Sequence, residues 1–421
     1  MCEKIWDVVI VGGGLAGYVA ANFLAKAGLT VTILEKGAQV GGRGKTDVIN
    51  GQSFNLGPHA LYKKGNAKLI LEELGITVNG GSPKLGGVII KNKQEYIAPL
   101  SPGGLLRTTF LNRKEKTEWM YCLIKLNTVK PEELIHLTYQ QWVEKIAKTE
   151  NVQDMLYTLS RLVTYSHSPN SASAKVIVSH IQLGMKGVLY IDGGWQSLID
   201  QLHNQAVTLG VRMQTKANVK QIVRTEDFFQ LTVSDHDIIK SKKVVYSGDP
   251  NDLDSLLPKA VFHKSIQPIK AATLDVALTD LPRPEKLFAM GIDQSFYYSV
   301  HSPYAKLSEN STILHVLKYH SEETVNGKEQ QQELEHFLDQ IQPGWQRYKI
   351  KSRCFPHITV NYRLPKIGDE TWLQSLQTAV PGLKFAGDWA APGMILAEGA
   401  VESGKRAAVD IIQKSEELLC K

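Results

Sequence analysis

A glycine-rich turn and a downstream acidic residue near the amino end of the chain have residue types and a spacing that could do chemistry. Residues 12–17 read Gly-Gly-Gly-Leu-Ala-Gly and fit the pattern G-x-G-x-x-G. In that pattern the first glycine permits a tight turn, the second lets the backbone approach a pyrophosphate, and the third lets a helix pack closely on a strand. Glu35 lies near the offset at which a carboxylate accepts hydrogen bonds from ribose hydroxyls. Together they predict a dinucleotide site, and they disfavour NADP because the carboxylate would repel a 2′-phosphate.

A second glycine pair, Gly41-Gly42, follows Glu35 and precedes Arg43. Paired glycines allow another close approach of the backbone to a ligand. The planar guanidinium of the arginine can form two hydrogen bonds with phosphate oxygens. We therefore expect a second phosphate-contacting loop beside the first.

The elements that position these residues follow from the hydrophobic pattern. Asp7–Val11 is a short apolar run and is typical of a strand that is buried on both faces. Leu15–Ala27 has helical spacing and stops at Gly28, and Thr30–Leu34 is a second strand candidate. Together they predict one right-handed βαβ unit whose helix directs its free N–H groups at the ligand.

Further elements are expected along the rest of the chain. Helices are predicted at Asn66–Leu74, Leu105–Lys148 with a break near Pro131, Gly193–Leu209, Glu329–Ile341 and from about Ala397 onwards. Strands are predicted between Gly80 and Pro102, in Val211–Ser234, Lys243–Ser247 and Ile266–Leu278, between Pro282 and His320, and in Leu383–Ala386. Nucleotide-type elements thus occur at both ends and in the middle, which indicates a cofactor domain interrupted by insertions.

The two ends of the chain resemble one known superfamily. Glu35 followed by GGR at 41–43 and NLGPH at 55–59 is similar to the amino end of the flavin amine oxidase and phytoene desaturase superfamily. FAGDW at 385–389 and EGAVESG at 398–404 resemble its second FAD segment. The C-terminal motif is most similar to plant-type carotene desaturases and hydroxysqualene dehydroxylases. The resemblance implies that the chain is a flavoprotein with non-covalent FAD.

The resemblance also implies the fold and the domains. We expect an α/β protein with a discontinuous Rossmann-like FAD-binding domain of the glutathione-reductase type and an inserted α+β substrate domain. The FAD-binding domain would comprise residues 1–84, 186–255 and 376–421. The substrate domain would comprise residues 85–185 and 256–375.

Site residues are implied in the same way. Asp388 would contact the ribityl–pyrophosphate part of FAD, Val219 the adenine through its backbone, and Gly57 and His59 the isoalloxazine. The helix from Ala397 would direct its N-terminus at the flavin, where the helix dipole stabilises the anionic reduced form. For His59, a loop histidine bonded to the backbone is an equally weighted alternative. The implied cofactor contacts are Gly12, Gly14, Leu15, Ala16, Gly17, Glu35, Lys36, Gly42, Arg43, Gly57, Pro58, His59, Val219, Gly387, Asp388, Ile395 and Ala397.

The four cysteines argue against a metal site and against covalent flavin. Cys2, Cys122, Cys354 and Cys420 lie far apart and form no zinc-type spacing. Some amine oxidases attach flavin through a cysteine in the region of Cys354, but its neighbours do not match, so an inert thiol is favoured. Sparse cysteines fit a reducing compartment, and no signal peptide is recognised. We therefore expect a cytoplasmic protein without a metal.

Charge excludes one class of partner and leaves another open. The 421 residues carry 48 basic and 42 acidic side chains, a mild excess unlike the dense basic face of a nucleic-acid binder. The stretch Arg107–Lys130 interleaves cations with large apolar side chains. It could lie on an anionic membrane surface, although an ordinary amphipathic helix with a solvated basic face is the preferred interpretation. The sequence gives no signal for an oligomeric state.

Two positions bear on the substrate. Amine oxidases of the superfamily have an aromatic-cage tyrosine just before the Glu-Gly-Ala of the C-terminal motif, where this chain has Leu396-Ala397, and this counts against small amines. Lys270 could match the lysine that those enzymes place near flavin N5, but a solvated lysine at a strand edge is favoured. We expect hydride transfer from a C–H bond of an apolar, isoprenoid-type small molecule to flavin N5, with no catalytic side chain singled out. The alternatives are an oxidase of amines or porphyrinogens and, as a different class, a non-redox carrier of prenyl groups on the same fold.

Overall fold

The computed structural model describes residues 4–234, 237–259, 266–319 and 326–419. Cys2, Cys420 and the end of the strand region predicted up to His320 lie outside these ranges. The strands, numbered along the chain, are β1 (Ile5–Val11), β2 (Val31–Leu34), β3 (Thr46–Ile49), β4 (Gln52–Asn55), β5 (Leu61–Tyr62), β6 (Gly80–Gly81), β7 (Val88–Lys91), β8 (Gln94–Ile97), β9 (Val188–Ile191), β10 (Arg212–Gln214), β11 (Val219–Arg224), β12 (Phe229–Val233), β13 (Ile238–Tyr246), β14 (Ile269–Leu278), β15 (Phe288–Gly291), β16 (Phe296–Val300), β17 (Thr312–Tyr319), β18 (Lys349–Asn361) and β19 (Leu383–Phe385). The helices are α1 (Leu15–Lys26), α2 (Asn66–Glu73), α3 (Pro102–Arg107), α4 (Arg113–Thr128), α5 (Tyr139–Ile146), α6 (Glu150–Thr164), α7 (Ala174–Met185), α8 (Gln196–Thr208), α9 (Pro250–Leu256), α10 (Gly327–Ile341), α11 (Asp369–Ala379) and α12 (Leu396–Leu419).

The first sheet has a parallel core in the order β10-β2-β1-β13-β19. The antiparallel strands β12 and β11 continue it beyond the amino half of β13. Side chains alternate between the two faces of a strand. Val8 and Ile10 accordingly pack against α1, α2, α8 and α12, whereas Val9 and Val11 pack against β11, β12, α9 and α11. Because both faces are covered, β1 has to be apolar along nearly its whole length.

The second sheet has the order β18-β14-β17-β16-β15-β7-β8. Strand β14, next to the edge strand β18, pairs with β17 on one side and with the long β18 on the other, both antiparallel. One face packs on α10 through Leu334, Phe337 and Leu338. Helices α4 to α7 form a separate apolar cluster that reaches this sheet at Ile89 and Met290.

The elements predicted from the two ends of the chain are all present. β1, α1 and β2 form the expected βαβ unit, and Gly28 has the left-handed conformation (φ +81°) expected after a helix. The mixed α/β architecture confirms the predicted fold class. The strands of the first sheet lie within residues 5–34, 212–246 and 383–385, and those of the second within 88–97 and 269–361. The predicted domain limits remain predictions.

Candidate active site

A cavity of about 690 Å³ lies at the carboxyl ends of β1, β2 and β13, and its far wall comes from β17 and β18 of the second sheet. This volume is typical of a small-molecule or cofactor site. In open sheets of parallel strands, ligands bind at the carboxyl ends of the strands. The position therefore agrees with a site in which a nucleotide and a second molecule meet.

The glycine-rich turn forms one wall. Gly14 precedes α1 as its N-cap and lines the cavity together with Leu15 and Ala16. A Cβ atom on Gly14 would meet only the Gly41 carbonyl oxygen at 3.9 Å, so packing leaves room for a side chain there. A Cβ on Gly17 would lie 2.1 Å from a backbone oxygen of the turn. Gly14 therefore keeps ligand space open next to the α1 N-terminus, whereas Gly17 serves helix–strand packing.

Glu35 follows β2 and lines the same wall. Its Oε2 accepts a hydrogen bond from the Gly13 N–H at 2.7 Å, and its Oε1 accepts one from the Gly37 N–H at 2.7 Å. A carboxylate has about four acceptor positions, so about two remain for ligand hydroxyls. Its neighbour Lys36 also lines the cavity and pairs with Asp252, with 3.3 Å between Nζ and Oδ2.

Arg43 and Asp388 join the two ends of the chain beside the cavity. The guanidinium donates two hydrogen bonds to the carboxylate, Nη1 to Oδ2 at 2.6 Å and Nη2 to Oδ1 at 2.7 Å. The Tyr362 N–H donates a third to Oδ2 at 3.2 Å, and the guanidinium lies 4.3 Å from the Tyr362 ring centre. Burial alone would lower the pKa of Arg43, but the attraction of Asp388 raises it above its ordinary value. Three of the four acceptor positions of Asp388 are thus filled, and about one remains.

The loop after β4 contributes Pro58 and His59 to the wall. The two imidazole nitrogens of His59 lie 3.1 Å from the carbonyl oxygens of Gly57 and Arg43, and the ring packs at 5.4 Å edge-on against Trp195. Burial lowers the pKa of His59, so the neutral form is favoured. The structure thus combines both interpretations of this residue, since it lines the cavity and is bonded to the backbone.

The start of α12 forms a further wall through Leu396, Ala397 and Ala400. Leu396 has φ +54°, a left-handed conformation that a leucine rarely adopts. The buried Glu398 accepts a hydrogen bond from the Ala67 N–H at 2.9 Å and thereby attaches this helix start to the N-terminus of α2. Strained backbone at a ligand-lining position is a common feature of functional sites.

An apolar wall forms another part of the cavity lining. It consists of Pro58, Tyr165, Leu317, Ile358 and Val360. Tyr165 follows α6 with φ +58°, and its hydroxyl donates to the Pro58 carbonyl oxygen at 3.1 Å. Since that hydroxyl is already satisfied, the tyrosine presents mainly its ring. This wall suits an apolar molecule.

The cavity brings together most of the residues predicted from the sequence. All of the predicted cofactor contacts line it apart from Gly17, Gly57 and Ile395. Their individual contacts with FAD remain predictions. Sequence reasoning missed Trp195, Tyr362 and all of the apolar wall except Pro58, because these residues reach the cavity only through long-range packing. No local motif marks them.

Two residues weighed from the sequence lie elsewhere. Lys270 is exposed and does not line the cavity, in agreement with the favoured solvated lysine, although β14 is an inner strand of its sheet and not an edge. Cys354 is half-buried outside the cavity lining, and burial raises the pKa of its thiol to about 11. Within the described ranges no cluster of histidine, cysteine or carboxylate side chains could hold a metal ion.

A profile of the protein family described as "Flavin containing amine oxidoreductase" matches residues 15–412. The chain belongs to this family. The predicted resemblance is thereby confirmed, and so is FAD as the cofactor. The flavin containing amine oxidoreductase family thus accounts for both glycine-rich ends of the chain and for the cavity between them.

Named relatives of this family member are desaturases. Carotenoid 3,4-desaturase from Haloarcula japonica is 27% identical over 281 residues, which cover 58% of this chain and 56% of that protein. A 4,4'-diapophytoene desaturase (4,4'-diaponeurosporene-forming) from Staphylococcus aureus is 25% identical over 330 residues, which cover 68% of this chain and 63% of that protein. The chain therefore spans less than two thirds of the length of either relative.

Solved structures of the family share the fold over nearly the whole chain. A putrescine oxidase variant superposes with a TM-score of 0.79 at 16% identity and covers 98% of this chain and 100% of its own. Cyclohexylamine oxidase from Brevibacterium oxydans superposes with a TM-score of 0.75 at 15% identity, again over 98% and 100% of the two chains. At such identities the similarity establishes the architecture alone.

Proposed function

We propose that this protein is an FAD-dependent oxidoreductase that removes a hydride from a C–H bond of an apolar, isoprenoid-type small molecule. The observation that carries the proposal is the division of the cavity into two unlike walls. One has a helix N-terminus and acidic acceptors suited to a dinucleotide, and the other has apolar and aromatic side chains. A substrate C–H bond brought in along the apolar wall would meet the cofactor held by the wall that suits a dinucleotide.

The residues present fit FAD. The N-terminus of α1, with the open space at Gly14, suits a pyrophosphate. The remaining acceptor positions of Glu35 and Asp388 suit ribose and ribityl hydroxyls, and the N-terminus of α12 at Ala397 suits an electron-rich ring edge. No cysteine of the described chain lines the cavity, which supports non-covalent binding. When bound, FAD supplies a hydride acceptor.

The chain's own residues would bind the cofactor, orient the substrate and exclude water from the cavity. The Arg43–Asp388 pair fixes the loop after Gly41 against the end of β19, so the cofactor wall is preorganised. Pro58 and Tyr165 close the apolar side, and their mutual hydrogen bond keeps a polar hydroxyl away from the substrate. This arrangement supports an apolar substrate more than a small cationic amine. The relatives that are named desaturases of carotenoid-type molecules support the same choice.

The proposal is tested by anaerobic flavin reduction. Purified protein loaded with FAD is mixed with polyprenyl, amine and porphyrinogen candidates, and flavin absorbance is followed. We expect bleaching by a polyprenyl compound. Bleaching by an amine or a porphyrinogen alone would favour the oxidase alternatives, and prenyl binding without any bleaching would favour a carrier.

We also propose that the outer side of α3 and α4 contacts an anionic membrane. Within the described ranges no helix has the length and apolarity needed to cross a bilayer. Helix α4 is amphipathic, as expected, and buries Trp119 and Leu126. Its outer side, however, exposes large apolar side chains as well as cations. Leu106, Met120, Tyr121 and Ile124 are 79, 52, 47 and 60% exposed beside the exposed cations Arg107, Arg113, Lys114 and Lys125.

Vesicle binding tests this surface. Replacing Met120 and Ile124 with serine removes apolar contact worth about 1 kcal/mol each, so affinity for vesicles rich in phosphatidylserine should fall about 30-fold. The matched control replaces the exposed Val48 and Val207 with serine and should bind as the wild type does. Equal binding by both double variants would contradict the membrane contact.

A further inference from the structure

A row of buried polar side chains crosses the second sheet next to the apolar wall. Ser299, His315, Asp275 and Arg353 are direct cross-strand neighbours on β16, β17, β14 and β18. His315 Nδ1 lies 2.7 Å from Asp275 Oδ1, and Arg353 Nε donates to Asp275 Oδ2 at 3.0 Å. The carboxylate therefore has a cation on one side and an imidazole on the other.

The row is anchored to the rest of the site. Thr273 Oγ1 donates to Asp275 Oδ1 at 3.2 Å, and Arg353 donates to the carbonyl oxygens of Phe54 and Asn55 at 2.9 and 2.6 Å. Arg353 also pairs with the partly exposed Asp47, with 2.7 Å between Nη1 and Oδ2. These contacts hold the segment that leads into the Pro58–His59 loop. The row thus contacts the end of β4, which leads into the loop that lines the cavity.

One atom of this row has no partner. His315 and Asp275 are fully buried, and His315 Nε2 has no hydrogen-bond partner among the described residues. An ionised carboxylate can only accept hydrogen bonds, so Nδ1 must carry the proton that it shares with Asp275. In the neutral ring, Nε2 is then a bare acceptor. Buried polar atoms are nearly always paired, so an orphan acceptor requires an explanation.

The position of His315 connects it with the cavity. Leu317 lines the cavity and lies two residues further along β17, so its side chain is on the same face, about 7 Å away. His59 and His301 are two further buried imidazoles whose pKa values are lowered by burial, and the His301 ring centre lies 4.5 Å from that of His315 in an edge-on arrangement. His301 Nε2 lies 3.0 Å from Ser299 Oγ, and its ring stacks on Tyr190 at 3.7 Å. Of the three, only His315 contacts a carboxylate.

We propose that His315 Nε2 receives the proton that leaves the substrate during C–H oxidation, with Asp275 as its positioning carboxylate. This inference rests on the proposed function. When a double bond forms, the electron pair of one C–H bond leaves with its hydrogen as a hydride, which the flavin accepts. The electron pair of the second C–H bond becomes the π bond between the two carbons. The second hydrogen is released as a proton, which adds to Nε2. An ordered water at the orphan acceptor would carry it across the gap to the cavity, because polar buried sites commonly hold such water.

Nuclear magnetic resonance of ¹⁵N-histidine-labelled protein tests the tautomer without any turnover. His315→Gln identifies the resonances by difference. In resting wild-type protein we expect Nδ1 to be protonated and Nε2 to be unprotonated. A protonated Nε2 at neutral pH would overturn the inference, because that atom could not accept a proton.

Stopped-flow flavin reduction tests the proton step. His315→Asn keeps a donor for Asp275 and removes Nε2, so the rate of reduction by substrate should fall roughly 100-fold. His180→Asn is the matched control, since His180 is equally buried but bonds the Tyr62 hydroxyl at 3.3 Å.

The outcomes separate the two proposals. A wild-type rate of flavin reduction by substrate in His315→Asn would overturn the inference and leave the proposed function intact. If dithionite bleaches the flavin but none of the candidate substrates bleaches it, the proposed function is wrong, and the inference is wrong with it. Should His315→Asn not retain FAD, His315→Gln and the wild-type resonances still decide the question.

Discussion

Replacing Asp388 with asparagine is expected to weaken both the fold and FAD binding, by amounts that can be worked out from its contacts. The carboxylate is 2% exposed and accepts two hydrogen bonds from Arg43 and one from the Tyr362 N–H. Asparagine keeps one acceptor oxygen but turns a donor towards the guanidinium. Arg43 therefore loses its counter-charge and one of its hydrogen bonds.

Breaking a buried ion pair costs about 3–5 kcal/mol. The Arg43 side chain is 36% exposed, so water compensates part of the loss and about 2 kcal/mol is expected. With an unfolding entropy of about 2.1 cal/mol/K per residue, the 421 residues give roughly 0.9 kcal/mol/K. The melting temperature of the FAD-free protein should therefore fall by about 2 °C.

Asp388→Asn should also bind FAD more weakly, and this effect is independent of the change in melting temperature. Loss of one charge-assisted hydrogen bond to the cofactor costs about 1.5–3 kcal/mol, which raises the Kd roughly 10- to 100-fold. Flavin fluorescence titration measures this Kd, and calorimetry measures the melting temperature. The matched control is Asp369→Asn, which breaks the 2.5 Å contact with Arg363 outside the cavity lining and should lower the melting temperature alone. If Asp388→Asn binds FAD as tightly as the wild type, the assigned hydroxyl contact is refuted and Asp388 only holds Arg43.

Two more predictions concern the glycine-rich turn and a buried acid. Gly14→Ala should leave the melting temperature unchanged but raise the Kd for FAD, since its Cβ enters open ligand space. Gly17→Ala should destabilise the FAD-free protein, because its Cβ would lie 2.1 Å from the Gly12 carbonyl oxygen. Equal effects of the two substitutions on the melting temperature would argue against these different roles. Burial raises the folded-state pKa of Glu398, so its contribution to stability is present below its ordinary value of 4.5 and is lost as the pH rises through the folded value. Glu398→Gln should therefore be more stable than the wild type at pH 8 by about 1 kcal/mol in denaturant titrations, and a gap that persists below pH 4.5 would contradict this explanation.

The nucleotide half of the site was predictable because its chemistry is local. The turn at 12–17, Glu35 and Arg43 lie within one βαβ unit and its following loop, so spacing along the chain translates directly into proximity. The buried strand β1 is a short apolar run that is followed directly by glycines, and this combination of length and flanking residues identifies it. The resemblance of the carboxyl end then places Asp388 against the same unit.

The apolar wall and the polar row could not be read from the sequence. Strand β18 contains several cations and a proline and is only partly buried, so it lacks the alternation that marks a strand. Helix α6 was not anticipated, and the cavity-lining position of Tyr165 depends on how its C-terminus packs against the Pro58 loop. His315 and Asp275 lie 40 residues apart, and only strand pairing makes them neighbours.

The same long-range pairing leads us to expect that FAD binding stabilises the fold. Arg43 and Asp388 are 345 residues apart, and their contact closes the wall that would hold FAD. Closing so long a loop costs entropy that a single ion pair cannot recover. A ligand that binds only the folded state adds its binding free energy to the stability of that state. Because FAD would contact both ends of the chain, its binding would stabilise the contact between Arg43 and Asp388. The same contact would help to position the apolar wall.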